Sequence, residues 1–232
     1  MLTFDPVQIG NNIYQLHEIE FNNALKVAAI DQRLNEKRIS EFLRHILDKD
    51  QPLLMTAQER YCLMLKYMEK QSITLFSTDT DFSKCYLSNE KPWLNEITHN
   101  GITVRQLIGR EVEYMEAHCT NAAEWIACML AFQISYSGHD ALSELPNRSL
   151  NDTDFINQFS ERLAYLKRRA QSDFDLIYQD FNALNNQLFS KIHLNVSNQG
   201  LVISRGADDA PLRFHPAAAF IGIIKELDQS LV

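Results

Sequence analysis

The fold is decided by residues 155–192, FINQFSERLAYLKRRAQSDFDLIYQDFNALNNQLFSKI. Apolar side chains recur there every three or four residues, which places them on one stripe of a helix, or of two helices in line. The eleven positions of this stripe are Phe155, Phe159, Leu163, Leu166, Ala170, Phe174, Ile177, Phe181, Leu184, Leu188 and Ile192. Their mean spacing of about 3.7 residues disfavours a long left-handed coiled coil. The stripe therefore predicts helices that pack against another surface.

Two details of the sequence suggest how the stripe is used. Ser172-Asp173 is expected to interrupt it, because either residue can cap a second helix. Residues 122–134 form a segment that is apolar nearly all round, which is typical of a centrally buried helix. Five aromatic residues are the candidate anchors for packing on that helix or, alternatively, for contact with a partner protein: Trp125, Phe155, Phe159, Phe174 and Phe181.

The first third of the chain predicts a β-hairpin followed by helices. Apolar and polar residues alternate on both sides of Gly10-Asn11-Asn12, as expected for a short hairpin. A helix is expected over about 20–34, and a second one includes 39–47, where the apolar spacing follows the helical template. Thr56 and Glu59 have the spacing of a capping box that starts a third helix.

The middle and the end of the chain predict further short elements. Residues 73–98 show no helical period and are expected to be irregular or to contain β-structure, and Asn100-Gly101 is typical of a tight hairpin turn. Residues 105–119 suit an amphipathic helix, and a linker or boundary is expected between about 137 and 152. Residues 194–204 predict a second hairpin, and 217–231 predict a closing helix.

Together these patterns predict a mainly α fold of the α+β class, with a helical bundle-like core and short β-hairpins near the N-terminus and near residues 194–204. Four segments are expected. They are an N-terminal hairpin with helices (1–72), an irregular or β-containing insertion (73–100), a central helical region (101–140), and a C-terminal part with long helices, hairpin and closing helix (150–232).

The composition argues against some classes of function. The 232 residues include 30 acidic and 22 basic ones, mixed along the chain, for a formal net charge of -8. A nucleic-acid binder needs a dense basic surface, so this class is disfavoured. The only basic run, 167–169, is interpreted as a solvated helix face.

Reactive groups show no catalytic or metal-binding pattern. The four cysteines lack a CxxC pairing and are interpreted as reduced, buried thiols, with His118, Cys119 and Cys128 the nearest approach to a metal cluster. Ser137-Gly138-His139-Asp140 contains the letters of a triad side by side, but such groups meet through the fold, so a polar turn is expected. We therefore expect no enzyme, no cofactor and no metal.

The sequence is expected to belong to a cytoplasmic protein. The first twelve residues lack the basic and apolar regions of a secretory signal, and the longest apolar run, 125–132, is far shorter than the ~20 residues of a membrane span.

Two stretches resemble a known family. They are residues 53–65, LLMTAQERYCLML, and residues 101–111, GITVRQLIGRE, which run on to Glu124-Trp125-Ile126. This pattern resembles the base plate hub assembly proteins of contractile-tailed, T-even type bacteriophages and related prophage proteins. The resemblance covers about residues 1–70 and 100–200, and the segment 73–98 has no counterpart in it.

The resemblance implies a non-enzymatic protein of viral morphogenesis that helps to build the tail hub in the bacterial cytoplasm and is present in the tail of the virion if it stays bound. Its partners would be other tail or base plate proteins, or a second copy of itself, and no nucleic acid or membrane. Two alternatives remain open at this point. One is a prophage or host regulatory module that sequesters a partner protein, and the other is an enzyme without a recognisable motif.

Overall fold

The computed structural model describes residues 4–48, 51–74, 82–88 and 91–204. Helices predominate in these ranges, and the strands are short, which confirms the predicted mainly α, α+β class. The helices are α1 (Phe21–Ala28), α2 (Asn35–Ile46), α3 (Ala57–Thr74), α4 (Gly109–His118), α5 (Ala122–Gln133), α6 (Asp152–Lys167) and α7 (Gln171–Leu188). The strands are β1 (Val7–Ile9), β2 (Asn12–Tyr14), β3 (Glu96–His99), β4 (Ile102–Arg105), β5 (Ile134–Tyr136), β6 (Leu194–Ser197) and β7 (Gly200–Ile203).

Both predicted terminal hairpins are present. Strands β1 and β2 pair antiparallel with Val7 opposite Tyr14, and β6 and β7 pair with Leu194 opposite Ile203. Gly200 opens β7 with a φ of +107°, and a Cβ there would lie 3.1 Å from the Cζ2 atom of Trp125. The second hairpin is therefore packed directly against α5. The predicted closing helix, 217–231, lies outside the described residues.

The first helix ends earlier than the sequence predicts. Helix α1 ends at Ala28 rather than near residue 34. The reason is that the buried guanidinium of Arg38, in α2, donates hydrogen bonds to carbonyl groups at the end of α1. Arg38 Nη2 donates to the Ala28 carbonyl at 3.0 Å, and Nε donates to the Ile30 carbonyl at 2.7 Å. The chain turns there, and α2 begins at Asn35. A side chain from α4 caps α2, because both carboxylate oxygens of Glu116 accept from the Glu36 amide at 2.9 Å.

Helix α3 begins with the predicted capping box. Glu59 Oε2 accepts the Thr56 amide at 2.8 Å, and Thr56 Oγ1 accepts the Glu59 amide at 3.2 Å. The other carboxylate oxygen of Glu59 accepts the Tyr14 hydroxyl at 2.8 Å. The cap thus also ties the N-terminal hairpin to α3.

The predicted turn at Asn100-Gly101 joins β3 to β4. Both residues have positive φ angles, 50° and 75°, as a two-residue turn of this kind requires. The structure adds a third strand, β5, which pairs antiparallel with β4. The predicted helix over 105–119 is therefore too long at its start, since Arg105 belongs to β4 and α4 begins only at Gly109.

The apolar stripe is divided between α6 and α7. The interruption falls at residues 168–170 and Ala170 is the N-cap of α7, so the prediction that Ser172 or Asp173 caps the second helix is wrong. Helix α6 packs on α5, whereas α7 packs on β3 and β4. The stripe thus meets two different surfaces of the same chain. The division into four segments stays a prediction.

Candidate interaction surface

The five predicted anchors lie mostly in the hydrophobic core. Trp125, Phe155, Phe159 and Phe181 are at most 2% exposed, and Phe174 is half-buried against the same core. A further aromatic ring, Phe132 of α5, stacks on two of them. Its centroid lies 4.0 Å from that of Phe159 and 5.6 Å from that of Phe155. Of the five anchors, Phe155 and Phe159 hold α6 against α5.

The rest of the stripe is also largely enclosed by the chain. Its remaining buried members are Leu166, Ile177, Leu184, Leu188 and Ile192. Leu163 is half-buried, and Ala170, at the break between the helices, is exposed. The stripe therefore finds its partner surface within the molecule.

Large apolar side chains do remain in water elsewhere. Among the described residues, those exposed are Ile13, Phe21, Leu25, Leu54, Leu94 and Leu176. Phe21 (63% exposed) and Leu25 (42% exposed) lie one turn apart on α1, so they share one side of that helix. We call these two side chains the α1 face.

The α1 face exists because α1 carries more apolar residues than one side of a short helix can bury. Ala24 and Val27 point into the core, whereas Phe21 and Leu25 point outward. The spacing of Phe21 and Leu25 is visible in the sequence, but the exposure of these two side chains was not predicted from it. Two apolar pairs that point in different directions from one eight-residue helix were the signal that could have revealed it.

A cleft follows the α1 face along the chain. The loop 31–34 that leads out of α1 forms one wall, and the end of α4 with Thr120 and the β6–β7 turn form the others. The cleft has a volume of about 760 Å³, and Trp125 and Cys119 contribute to its lining.

The cleft has charged groups of both signs at its edge. Arg33 donates to Asp31 through its side chain, with Nη2 2.8 Å from Oδ2, and through its backbone amide at 2.9 Å. These hydrogen bonds lower the pKa of Asp31 from 3.8 to about 2. Glu116 lies on the opposite wall, where it caps α2.

A buried carboxylate holds the start of α4 in place. Glu111 is fully buried, and its Oε1 accepts from Arg105 Nη2 at 3.1 Å and from Arg148 Nε at 2.9 Å. Its Oε2 accepts the Ile108 amide at 3.0 Å and Arg148 Nη2 at 2.6 Å. Burial lowers the pKa of Arg105 to about 10. With both oxygens occupied by protein donors, this carboxylate connects β4, α4 and the loop 143–151.

Two other buried polar side chains have similar roles. Gln58 Oε1 accepts the amides of Ser190 and Lys191, both at 2.9 Å, while its Nε2 donates to the Leu188 carbonyl at 3.2 Å. Arg162 donates to the carbonyls of Ala131, Ile134, Ala141 and Glu144. These side chains satisfy the ends of helices and loops that would otherwise be buried without partners.

The residues considered for catalysis or metal binding lie apart from one another or contact individual neighbouring side chains. The rings of His118 and Tyr114 stack with their centroids 4.1 Å apart. His139 lies in the turn after β5, and its Nδ1 atom is 2.9 Å from the hydroxyl oxygen of Tyr165 in α6. Cys119 and Cys128 do approach each other, with their Sγ atoms 3.5 Å apart. No group of three or more His, Cys, Asp and Glu side chains that could hold a metal ion occurs within the described ranges.

The cysteines are free thiols, as the sequence analysis predicts, but they are not all buried. Cys62, Cys85 and Cys128 are buried, and Cys119 is partly exposed. Burial raises the pKa of Cys62 to about 12. None of the helices in the described part of the chain is long and apolar enough to cross a membrane.

Comparison with known proteins gives no relative for this chain. No protein-family model, curated protein or solved structure matches it.

Proposed function

We propose that this protein is a non-enzymatic assembly factor of a phage tail, which helps to build the base plate hub through protein–protein contacts. The proposal has two supports. The first is the resemblance of residues 53–65 and 101–111 to base plate hub assembly proteins. The second is the α1 face, which leaves two large apolar side chains available to a partner.

The α1 face is the single observation that carries the proposal. Full burial of a Phe or Leu side chain is favourable by about 1.5–3 kcal/mol. Phe21, at 63% exposure, has more than half of that free energy still to gain, and Leu25, at 42%, has somewhat less than half. Aromatic anchors of this kind commonly dominate the binding energy of an interface. The buried stripe cannot serve in the same way, since its exposure would require α6 or α7 to leave the core.

The cleft at the loop 31–34, which follows α1 in the sequence, would provide selectivity. Asp31, Arg33 and Glu116 place charges of both signs around it, and a partner with complementary charges would be favoured over one without them. The partners we propose are other tail or base plate proteins of the same phage or prophage. The protein would act in the cytoplasm of the bacterial host during assembly and remain in the tail if it stays bound.

The test is affinity capture from phage-infected or prophage-induced bacterial cells, with mass spectrometry of the captured proteins. We expect the natural chain to capture tail or base plate proteins. The double variant Phe21→Asp/Leu25→Asp should capture at least ten times less of them. Leu176→Asp is the matched control. Leu176 is also exposed (61%), but it is the only exposed large apolar residue among the described residues of α7. That control should capture the same proteins as the natural chain.

Two results would contradict the proposal. One is capture of a host regulator with no tail protein, which would favour the sequestering module. The other is unchanged capture by a double variant whose circular dichroism and melting temperature match those of the natural chain. That outcome would move the binding surface away from α1.

A further inference from the structure

The side chains of Cys119 and Cys128 contact each other, and Cys119 lines the cleft. Their Sγ atoms are 3.5 Å apart, against the S–S bond length of about 2.05 Å, so a shift of about 1.5 Å would bring them together. We propose that these two thiols form a reversible disulfide with each other, and that the oxidant is a small-molecule disulfide such as oxidised glutathione. This redox site is independent of the proposed role in assembly.

The local backbone permits this approach. Cys119 follows the last residue of α4 and has extended φ and ψ angles of -95° and 135°, whereas Cys128 lies within α5. A side-chain rotation at Cys119 therefore breaks no helical hydrogen bond of α5. The bond would close a loop of ten residues, 119–128, and would fix the end of α4 to α5.

Access and hydrogen bonding distinguish the two thiols. Cys119 is partly exposed and lines the cleft, whereas Cys128 is 6% exposed. Cys119 Sγ donates its hydrogen to Cys128 Sγ, which lowers the pKa of Cys128 and raises that of Cys119. The accessible thiol is thus the one that can meet an oxidant, and the buried one is prepared to react as a thiolate with its neighbour.

The reaction is a dithiol–disulfide exchange in two steps. The pair first loses one proton to water, and the remaining proton moves along the hydrogen bond from the Cys119 sulfur to the Cys128 sulfur. Cys119 then attacks one sulfur of oxidised glutathione as a thiolate, so that a mixed disulfide forms and the first glutathione thiolate leaves. Cys128 then attacks the Cys119 sulfur, the protein disulfide forms and the second glutathione leaves. The protein loses two electrons and two protons, and one oxidised glutathione becomes two reduced ones.

Trypsin makes the test direct. It cuts after Arg110 and next after Arg148, so Cys119 and Cys128 share peptide 111–148, while Cys62 and Cys85 lie in other peptides. The folded full chain is incubated with oxidised glutathione and then unfolded in guanidinium chloride that contains N-ethylmaleimide, which labels every remaining thiol, buried ones included. The peptides are weighed by mass spectrometry. We expect peptide 111–148 to lose both labels and to be lighter by two hydrogens, and dithiothreitol to restore both labels.

Three variants provide the controls. Cys62→Ser/Cys85→Ser keeps the pair and should behave like the natural chain. Cys128→Ser should stop at a glutathione adduct on Cys119, whereas Cys119→Ser should stay mostly unmodified because Cys128 is buried. The proposal is overturned if peptide 111–148 of the folded natural chain keeps two labels, or if it keeps a glutathione adduct on Cys119 with Cys128 labelled.

Discussion

Replacing Phe159 by alanine should lower the free energy of unfolding by about 3–5 kcal/mol. The side chain is 1% exposed, and its ring stacks on Phe132 with an interplanar angle of 13° and also meets the Tyr114 ring at 5.2 Å. Aromatic pairing accounts for about 0.5–1.5 kcal/mol of this loss, and the remainder comes from lost apolar burial and the cavity left between α5 and α6. The loss is a large part of the roughly 5–15 kcal/mol by which a domain is usually stable.

The assay is urea unfolding followed by tryptophan fluorescence, for which the buried Trp125 is a reporter. The unfolding midpoint should fall while the m-value stays unchanged, since the surface exposed on unfolding is nearly the same. Phe159→Leu should cost less than Phe159→Ala because it refills most of the volume. Leu176→Ala, at an exposed position, should change stability by less than about 0.5 kcal/mol. A Phe159→Ala chain within about 1 kcal/mol of the natural one would refute the assignment of the stripe to the core.

Three further predictions concern polar and backbone positions. Gln58→Met should destabilise the chain by about 1–3 kcal/mol, because it leaves the backbone amides of Ser190 and Lys191 without an acceptor. Gln187→Ala replaces an exposed glutamine and should not destabilise the chain. Urea unfolding measures both effects. Arg33→Gln should return the pKa of Asp31 from about 2 towards 3.8, as read from a carboxyl NMR titration. Since folding lowers that pKa, the contribution of Asp31 to stability is complete above about pH 4 and is lost as the pH falls through 2. Gly109→Ala should cost about 1–3 kcal/mol in the same unfolding assay, because its Cβ would lie 2.3 Å from the Pro52 carbonyl oxygen.

The parts of the fold that the sequence predicts well are those with a local cause. The Thr56–Glu59 cap needs only three residues of spacing, and the Asn100-Gly101 turn needs only two residues that accept positive φ angles. The stripe of α6 and α7 follows from the helical period alone. Such signals do not depend on where the rest of the chain lies.

The predictions from the sequence are wrong where contacts with residues far along the chain determine where a helix or strand begins or ends. The end of α1 depends on Arg38 of α2, which takes the carbonyls of Ala28 and Ile30. Strand β5 directly continues the apolar helix α5, and only pairing with β4 distinguishes it from one more helical turn. The start of α2 depends on Glu116, eighty residues further along the chain. A local reading of sequence has no access to such contacts.

The candidate surface shows the same division. The sequence places five aromatic residues on apolar helical segments, but the choice between core and interface depends on exposure. The α1 face was missed because a short helix with two apolar pairs resembles any partly buried helix until its neighbours are known. The approach of Cys119 to Cys128 likewise depends on how the end of α4 meets α5.

The most direct test of the account is hydrogen–deuterium exchange of the chain alone and bound to the base plate component that it captures. The account predicts that amides in 21–28 gain protection on binding, while those of 155–188 are already protected in the free chain and change little. Protection gained in 155–188 with 21–28 unchanged would contradict it, because the stripe and not the α1 face would then be the surface offered to the partner.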